Sequence, residues 1–442
     1  MSQTVAFTTL GCRLNQVDTL QMQAALEAGG FRAVPSVAGA DIVVVNTCTV
    51  TARAELSDRQ AIRRAVRLSP QARVVVTGCW AQTNPAAIAG LNGVDLVVGN
   101  TDKARLPTLL EDLLARPRSE SRVEVADVGS ARLLPVALLP HANGRARAFV
   151  KVQDGCQHRC AFCIVPFARG ASRSLAPEVV EDQVRQLVAG GHPEIVLTGV
   201  DLGNYGADLR PRASLAALLG RLLGVGGLRW LRLSSILPSY FTEDVLDIVT
   251  TAPTIAPHFH VPLQSGSDRV LRLMRRPYTS ATYRRVVDRL AAAHPRLGLG
   301  ADVIVGFPGE TEADFAATLA LVEALPLSYL HVFPYSVRPG TAAARLPERV
   351  DGRTVATRAR RLRELDAARR RAFREAMVGR VEDVLVLETR DRCSGDLTGL
   401  TGNYIEVSFA GPEHLRRGVA RVRVTQAGEV SASGVLEDAR AA

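Results

Sequence analysis

The segment Cys156-Gln-His-Arg-Cys160-Ala-Phe-Cys163 sets three cysteines at C-x3-C-x2-C spacing. Three thiolates this close can hold three irons of a cubane iron–sulfur cluster and leave the fourth iron without a protein ligand. An open iron can take a substrate, and a cluster near the low end of its potential range can pass an electron into it. The competing readings are a zinc site and unliganded core cysteines. A closed zinc site wants four ligands, usually from paired CxxC motifs, and only His158 stands nearby as a fourth.

A second set of cysteines is dispersed. Cys12, Cys48 and Cys79 each follow an apolar, β-branched run: Val5 to Leu10, Ile42 to Val45 and Val74 to Val76. Such runs read as buried parallel strands, and Asp95 to Val98 makes a fourth. Helix-compatible stretches, Val17 to Ala28 and Ser57 to Leu68, lie between them. The first hundred residues therefore read as an open α/β sheet, whose ligands bind outside the carboxyl ends of the strands. Neighbouring strand ends would gather the three thiols, and Gly11 and Gly78 would let backbone approach a bulky cluster. Three ordinary core cysteines are the alternative. The shared strand-end position favours a second cluster with three protein ligands. Cys393 has no partner spacing and reads as structural.

These loops need elements to position them. Strand-like runs at Phe149–Val152, Glu194–Thr198, Trp230–Leu233, His258–Val261, Asp302–Val305 and Leu330–Phe333 alternate with helices such as Pro177 to Ala189 and Tyr283 to Ala293. Six βα units predict a partial barrel with its active site at the carboxyl ends of the strands. The first strand runs directly into the three-cysteine loop. At other strand ends Thr198, Gly199, Ser234, Gln264 and Gly306 suit a charged, ribose-bearing cofactor, although Gly and Ser there are also turn formers. Beyond Gly379, short β-rich runs at 384–387, 404–409 and 419–424, separated by Gly turns, predict a small antiparallel barrel. The expected division is 1–115 for the open sheet, 116–141 for a linker, 142–374 for the partial barrel and 375–442 for the small barrel.

Of 442 residues 47% are apolar, enough for two or three separate cores. No apolar run is long enough to span a bilayer, and the chain opens without a basic, apolar leader, so a cytoplasmic protein without membrane contact is expected. In that compartment seven cysteines argue for metal or catalysis rather than disulfides. The net charge of +10 favours a polyanionic partner such as RNA, unless arginine is merely decorating the surface. The positive charge is dense on two helical stretches, one with Arg59, Arg63 and Arg64, the other with Arg358, Arg360, Arg361 and Arg370. They are candidate phosphate contacts, with a solvated helix face as the alternative.

Taken together, several segments resemble the methylthiotransferase family of radical S-adenosylmethionine enzymes. They are Leu10-Gly-Cys-Arg-Leu-Asn15, Asn46-Thr-Cys-Thr-Val50, Thr77-Gly-Cys79 and Gln153-Asp-Gly-Cys156 running through Cys163 to Pro166. Leu263-Gln-Ser-Gly-Ser267, Val305-Gly-Phe-Pro-Gly-Glu310 and His331-Val-Phe-Pro-Tyr335 complete the set. The resemblance covers almost the whole chain. It implies two [4Fe-4S] clusters, on Cys12, Cys48 and Cys79 and on Cys156, Cys160 and Cys163, with two equivalents of S-adenosylmethionine used per turnover. It also implies a tRNA anticodon stem-loop as partner, an electron donor of flavodoxin or ferredoxin type, and a C-terminal OB-like TRAM domain that binds RNA. The opening motif and His-Val-Phe-Pro-Tyr are most similar to the branch that converts N6-threonylcarbamoyladenosine, 3′ of the anticodon, to its 2-methylthio derivative. Branches acting on N6-isopentenyladenosine or on a ribosomal protein aspartate are the alternatives. Arg13, Leu14 and the non-aromatic Gln16-Val-Asp-Thr19 depart from the usual pattern locally.

Overall fold

The central strands of the first unit, β3 (Ile42–Thr47) and β4 (Arg73–Gly78), are rich in valine and buried on both faces. A strand apolar on both sides needs cover on both sides, so it belongs in the middle of a parallel sheet flanked by helices. The structure, a computed structural model describing residues 2–118, 120–136 and 145–437, supplies that sheet. Its order is β2 (Arg32–Val34), β1 (Thr4–Thr9), β3, β4, β5 (Leu96–Val98) and β6 (Arg122–Glu124), parallel throughout. Val43, Val45, Val74 and Val76 pack with Ile62 and Trp80 on one face. Val5, Val44 and Val75 pack with Met22, Leu26 and Leu110 on the other. The stretch read as a linker thus supplies an edge strand, β6, too short and charged to announce itself. The expected 141/142 boundary and residues 438–442 lie outside the described residues.

The middle unit holds two three-stranded parallel sheets. One contains β7 (Arg147–Lys151), β10 (Glu194–Thr198) and β11 (Trp230–Leu233). The other contains β12 (His258–His260), β13 (Gly298–Val305) and β14 (Tyr329–Pro334). Leu231 N–H donates to Thr254 O (2.8 Å) and Ala256 N–H to Leu231 O (3.0 Å), joining the sheets into one open arc. Side chains alternate along each strand. Val150, Leu197, Leu231, Phe259 and Val303 face outward into the large core shared with the helices. Arg147, Lys151, Glu194, Arg232, His258 and Asp302 take the concave side. A short hairpin, β8 (Gln153–Asp154) with β9 (Arg173–Ser174), brackets the three-cysteine loop.

The last unit is a closed barrel in the order β15 (Val381–Arg390), β16 (Leu397–Thr401), β17 (Glu406–Phe409), β19 (Ala432–Leu436), β18 (Val419–Ala427). Tyr404, expected within a strand, lies instead in the β16–β17 turn at φ +75°. Its ring enters the lower end of the arc and stacks on His258 at 4.4 Å. No described helix is long and apolar enough to cross a membrane.

Candidate active site

Because β1, β3 and β4 are neighbours, Cys12, Cys48 and Cys79 fall side by side at the carboxyl edge of the sheet. Gly11 sits at φ +90°, and a Cβ there would lie 2.6 Å from Cys48 Cβ and 2.8 Å from its Sγ. Burial pushes the Cys48 thiol up to about 12, and the nearby Cys79 and Cys12 add to the rise. Cys12 is exposed, yet desolvation by the groups packed around it still raises its thiol, against the pull of the Arg169 guanidinium.

The second trio is built on an equally tight turn. Gly155, at φ +77°, presses on the Ala171 carbonyl so closely that a Cβ would stand 2.0 Å from its oxygen. Cys156 Sγ lies 3.7 Å from Asp201 Oδ2, and Cys160 Sγ accepts from Arg276 Nη1 at 3.2 Å. Burial lifts Cys156 to about 12 and Cys163 to about 11. Buried thiols of this kind keep their protons until a metal displaces them.

Buried charges tie the two loops together. Asp18, on α1 (Arg13–Ala28), accepts from Lys103 Nζ (2.8 Å), Lys151 Nζ (2.7 Å) and Arg169 Nη2 (2.9 Å). Burial alone would raise this carboxyl, but the three cations hold it well below the usual carboxylate range. Arg169 also donates to Asn15 Oδ1 (2.7 Å) and to both oxygens of Asp154 (3.1 Å each). Asn100 Nδ2 reaches Ala168 O at 2.7 Å and stands 3.8 Å from Cys79 Sγ. The sheet edge and the second loop are thus fixed to each other.

Between them lies a cavity of about 200 Å³. Val50 and Thr51, just after Cys48, form one wall, and Phe162, between Cys160 and Cys163, forms another. Gln264, Asp302, Phe333 and Tyr335 supply the rest. Among the candidate cofactor contacts, Gln264 lines this space, and Ser234 Oγ is buried with no partner among the described residues. An orphaned hydroxyl and glycine-lined cysteine loops fit a cluster with a polar organic ligand. Thr198 Oγ1 donates to Val150 O (3.2 Å), and Gly306 N–H donates to Glu310 Oε2 (2.8 Å). Gly306 instead lets Val355 of the helix Gly352–Glu375 pack close. Gly199 likewise admits Gln153, whose Oε1 would lie 2.8 Å from a Cβ there.

On α2 (Ala52–Leu68), Arg63 and Arg64 are exposed while Arg59 covers the Trp80 ring at 4.7 Å. On the helix Gly352–Glu375, Arg360 and Arg361 are exposed. Arg358 and Arg370 are not free phosphate contacts. Arg358 is buried on Glu310 Oε2 (2.7 Å), and Arg370 is held by Asp366 (2.9 Å) over the Tyr329 ring. Sequence reasoning missed Asp18, Arg169, Asp201 and Arg276, as well as the triad His260, Asp302 and His331. The period-2 placement of polar residues in His258-Phe-His260 and Tyr329-Leu-His331 was the available signal for the triad.

Residues 4–99 match the family described as "Uncharacterized protein family UPF0004", and residues 150–322 match the radical SAM superfamily. The threonylcarbamoyladenosine tRNA methylthiotransferase MtaB of Aquifex aeolicus is 42% identical, covering 92% of this chain and 97% of its own. The protein of the same name in Bacillus subtilis is 38% identical over 96% and 94%. A tRNA-2-methylthio-N(6)-dimethylallyladenosine synthase of Parafrankia sp. is 37% identical over 93% and 84%. Among solved structures, the radical S-adenosylmethionine methyltransferase TsrM of Kitasatospora setae shares the fold with a TM-score of 0.59. It is 20% identical and covers 78% of this chain and 77% of its own.

Proposed function

Because the chain belongs to the methylthiotransferase family of radical S-adenosylmethionine enzymes, we propose that it installs a methylthio group at C2 of N6-threonylcarbamoyladenosine in tRNA. The observation that carries this reading is that residues from both cysteine loops, Val50 with Thr51 and Phe162, wall one cavity. A [4Fe-4S] cluster on Cys156, Cys160 and Cys163 belongs to the superfamily, and the reading adds a second on Cys12, Cys48 and Cys79. When bound, these groups and S-adenosylmethionine supply the radical and the sulfur that an unreactive C2–H demands.

The chain's own residues do the positioning. Arg276 holds Cys160 by a charge-assisted bond and fixes the loop that presents Phe162. Ser234 and Gln264 offer the polar contacts an amino-acid-bearing cofactor needs. Asp18 and Arg169 hold the sheet edge against the barrel, so the distance between the cysteine trios is set by buried ion pairs rather than by a hinge. Val50 and Phe333, exposed at the cavity wall, give apolar faces for an unstacked base. An anticodon loop already displays such bases, which lowers the cost of extracting one. The C-terminal barrel takes the role of a TRAM-type RNA module, and a flavodoxin- or ferredoxin-type donor supplies the electrons.

The test is nucleoside mass spectrometry of tRNA from cells with and without the gene. Loss of 2-methylthio-N6-threonylcarbamoyladenosine, with its unthiolated precursor accumulating, is expected. Loss of the isopentenyl counterpart instead would move the enzyme to the dimethylallyladenosine branch, whose relatives are also similar to this chain. No change in any nucleoside would overturn tRNA as the substrate.

A further inference from the structure

Three neighbouring strands of the arc carry an ionisable triad that this chemistry leaves unassigned. His260 closes β12, Asp302 lies in β13 and His331 in β14. Asp302 Oδ1 stands 3.2 Å from His260 Nε2 and 3.2 Å from His331 Nδ1. Ser235 Oγ, 2.7 Å from His260 Nδ1, holds that ring in place. Asp302 also lines the cavity between the cysteine loops. Burial works to raise its carboxyl, but the His260 ring beside it and the His331 ring hydrogen-bonded to it outweigh burial and hold it below the usual carboxylate range.

His331 differs from its partners in being open: its side chain is 49% exposed, against 11% for His260 and 24% for Asp302. Its ring stands edge-on to Phe333, 6.4 Å away, which lines the same cavity. The Lys and Arg side chains named on the concave side are already engaged. Lys151 is held by Asp18, Arg232 by Glu194, and Arg13 and Arg147 by the Tyr404 hydroxyl. With Nδ1 turned to Asp302, Nε2 is the one hydrogen-bonding atom of the His331 ring left for a ligand.

We infer that His331 is a specificity-determining contact to the N6 substituent of the target adenosine. This rests on the substrate reading above. A threonylcarbamoyl group brings ureido N–H groups and a hydroxyl, donors that can pair with Nε2 when Nδ1–H faces Asp302. An isopentenyl group brings none, and would cover His331 and Asp302 without satisfying them. A site built to hydrogen-bond a substituent rejects an analogue lacking it far more strongly than an apolar pocket rejects an extra polar group. His331 contacts the substrate, while Asp302 and His260 are positioning residues that fix its ring.

The experiment compares full-length, cluster-loaded wild type, His331→Phe and His331→Asn on two anticodon stem-loops. One RNA carries N6-threonylcarbamoyladenosine and the other N6-isopentenyladenosine. Phe keeps the ring volume without a polar atom, and Asn restores a donor and an acceptor. The ratio of kcat/KM for the first RNA over the second should fall at least about tenfold in His331→Phe, mainly through KM. It should recover in His331→Asn. An unchanged ratio in His331→Phe, with wild type preferring the threonylcarbamoyl RNA, overturns the assignment and leaves the substrate reading standing. A wild type that ignores the threonylcarbamoyl RNA overturns both. Metal analysis of the same samples adds a third check. A stoichiometric divalent ion beyond the cluster iron, lost in His331→Phe, would give the triad to an ion instead.

Discussion

Gly11 is where one methyl group decides whether the proposed sheet-edge cluster can form. Its φ of +90° disfavours any side chain, and the Cβ would fall on both Cβ and Sγ of Cys48. The neighbour cannot yield, because Cys48 follows directly on a strand buried on both faces. Gly11→Ala should therefore lose the cluster of the sheet edge and keep that of the C-x3-C-x2-C loop. Iron analysis of anaerobically reconstituted protein would read about four irons per chain where two cubanes give about eight. A full complement would mean that Cys48 is not a ligand. The gathering of Cys12, Cys48 and Cys79 at one sheet edge was legible because each follows a β-branched run that had to be a buried parallel strand. Asp18 and Arg169 were not legible. A charge in a helical stretch looks like a solvated face until the tertiary fold buries it against its partners. Thr198 and Gly306 read less sharply, since a strand-end Thr or Gly serves turns and packing as readily as ligands.

At the scale of elements, long β-branched runs such as β3 and β4 declared themselves, because a strand buried on both faces needs continuous apolar sequence. The edge strands β2 and β6 are three residues each and held by backbone pairing, which leaves no side-chain pattern to read. The β16–β17 turn shows what such blindness conceals. Tyr404 takes bonds from Arg13 and Arg147 at its hydroxyl and lies under Arg232, whose guanidinium carbon is 4.9 Å from the ring. One residue of the C-terminal barrel thus anchors the arc and, through Arg13, the residue after Cys12. Tyr404→Phe keeps the ring and removes the acceptor, leaving the half-buried Arg13 and Arg147 guanidinium groups short of a partner. A loss of about 1–3 kcal/mol is expected in urea unfolding. Tyr404→Ala adds a cavity and should cost about 3–5 kcal/mol. If Phe were neutral, the arginines would have to find equivalent acceptors, and the turn would be packing alone.

Across the whole molecule the fold sorts its cations into two populations. Arg169, Arg232 and Arg358 are buried and neutralised by Asp18, Glu194 and Glu310. On the C-terminal barrel, Arg390 and Arg423 pair with Glu413 and Glu437, while Arg380, Arg392 and Arg421 are exposed. Two helix faces carry exposed arginines without an ion pair among the described residues, Arg63, Arg64 and Arg67 on α2 and Arg353, Arg361 and Arg363 on the helix Gly352–Glu375. Both helices begin at the active site. The first turn of α2 meets Ser336 through Ala52 N–H (3.0 Å), and Val355 packs against Gly306 at the end of β13. A nucleic acid whose base enters the cavity would therefore pass its backbone along one or both faces. Each phosphate neutralised contributes about 0.7–0.9 to the slope of log affinity against log salt. Replacing Arg361 and Arg363 by alanine should lower that slope for tRNA by roughly 1–2, and replacing Arg63, Arg64 and Arg67 by roughly 2–3. Arg423→Ala, which removes a paired charge, should leave it nearly unchanged. Binding titrations across salt concentrations separate the cases. A drop for one helix alone would fix the side from which the anticodon arm approaches. No drop for either would return both faces to solvent and shift recognition onto the cavity and the small barrel.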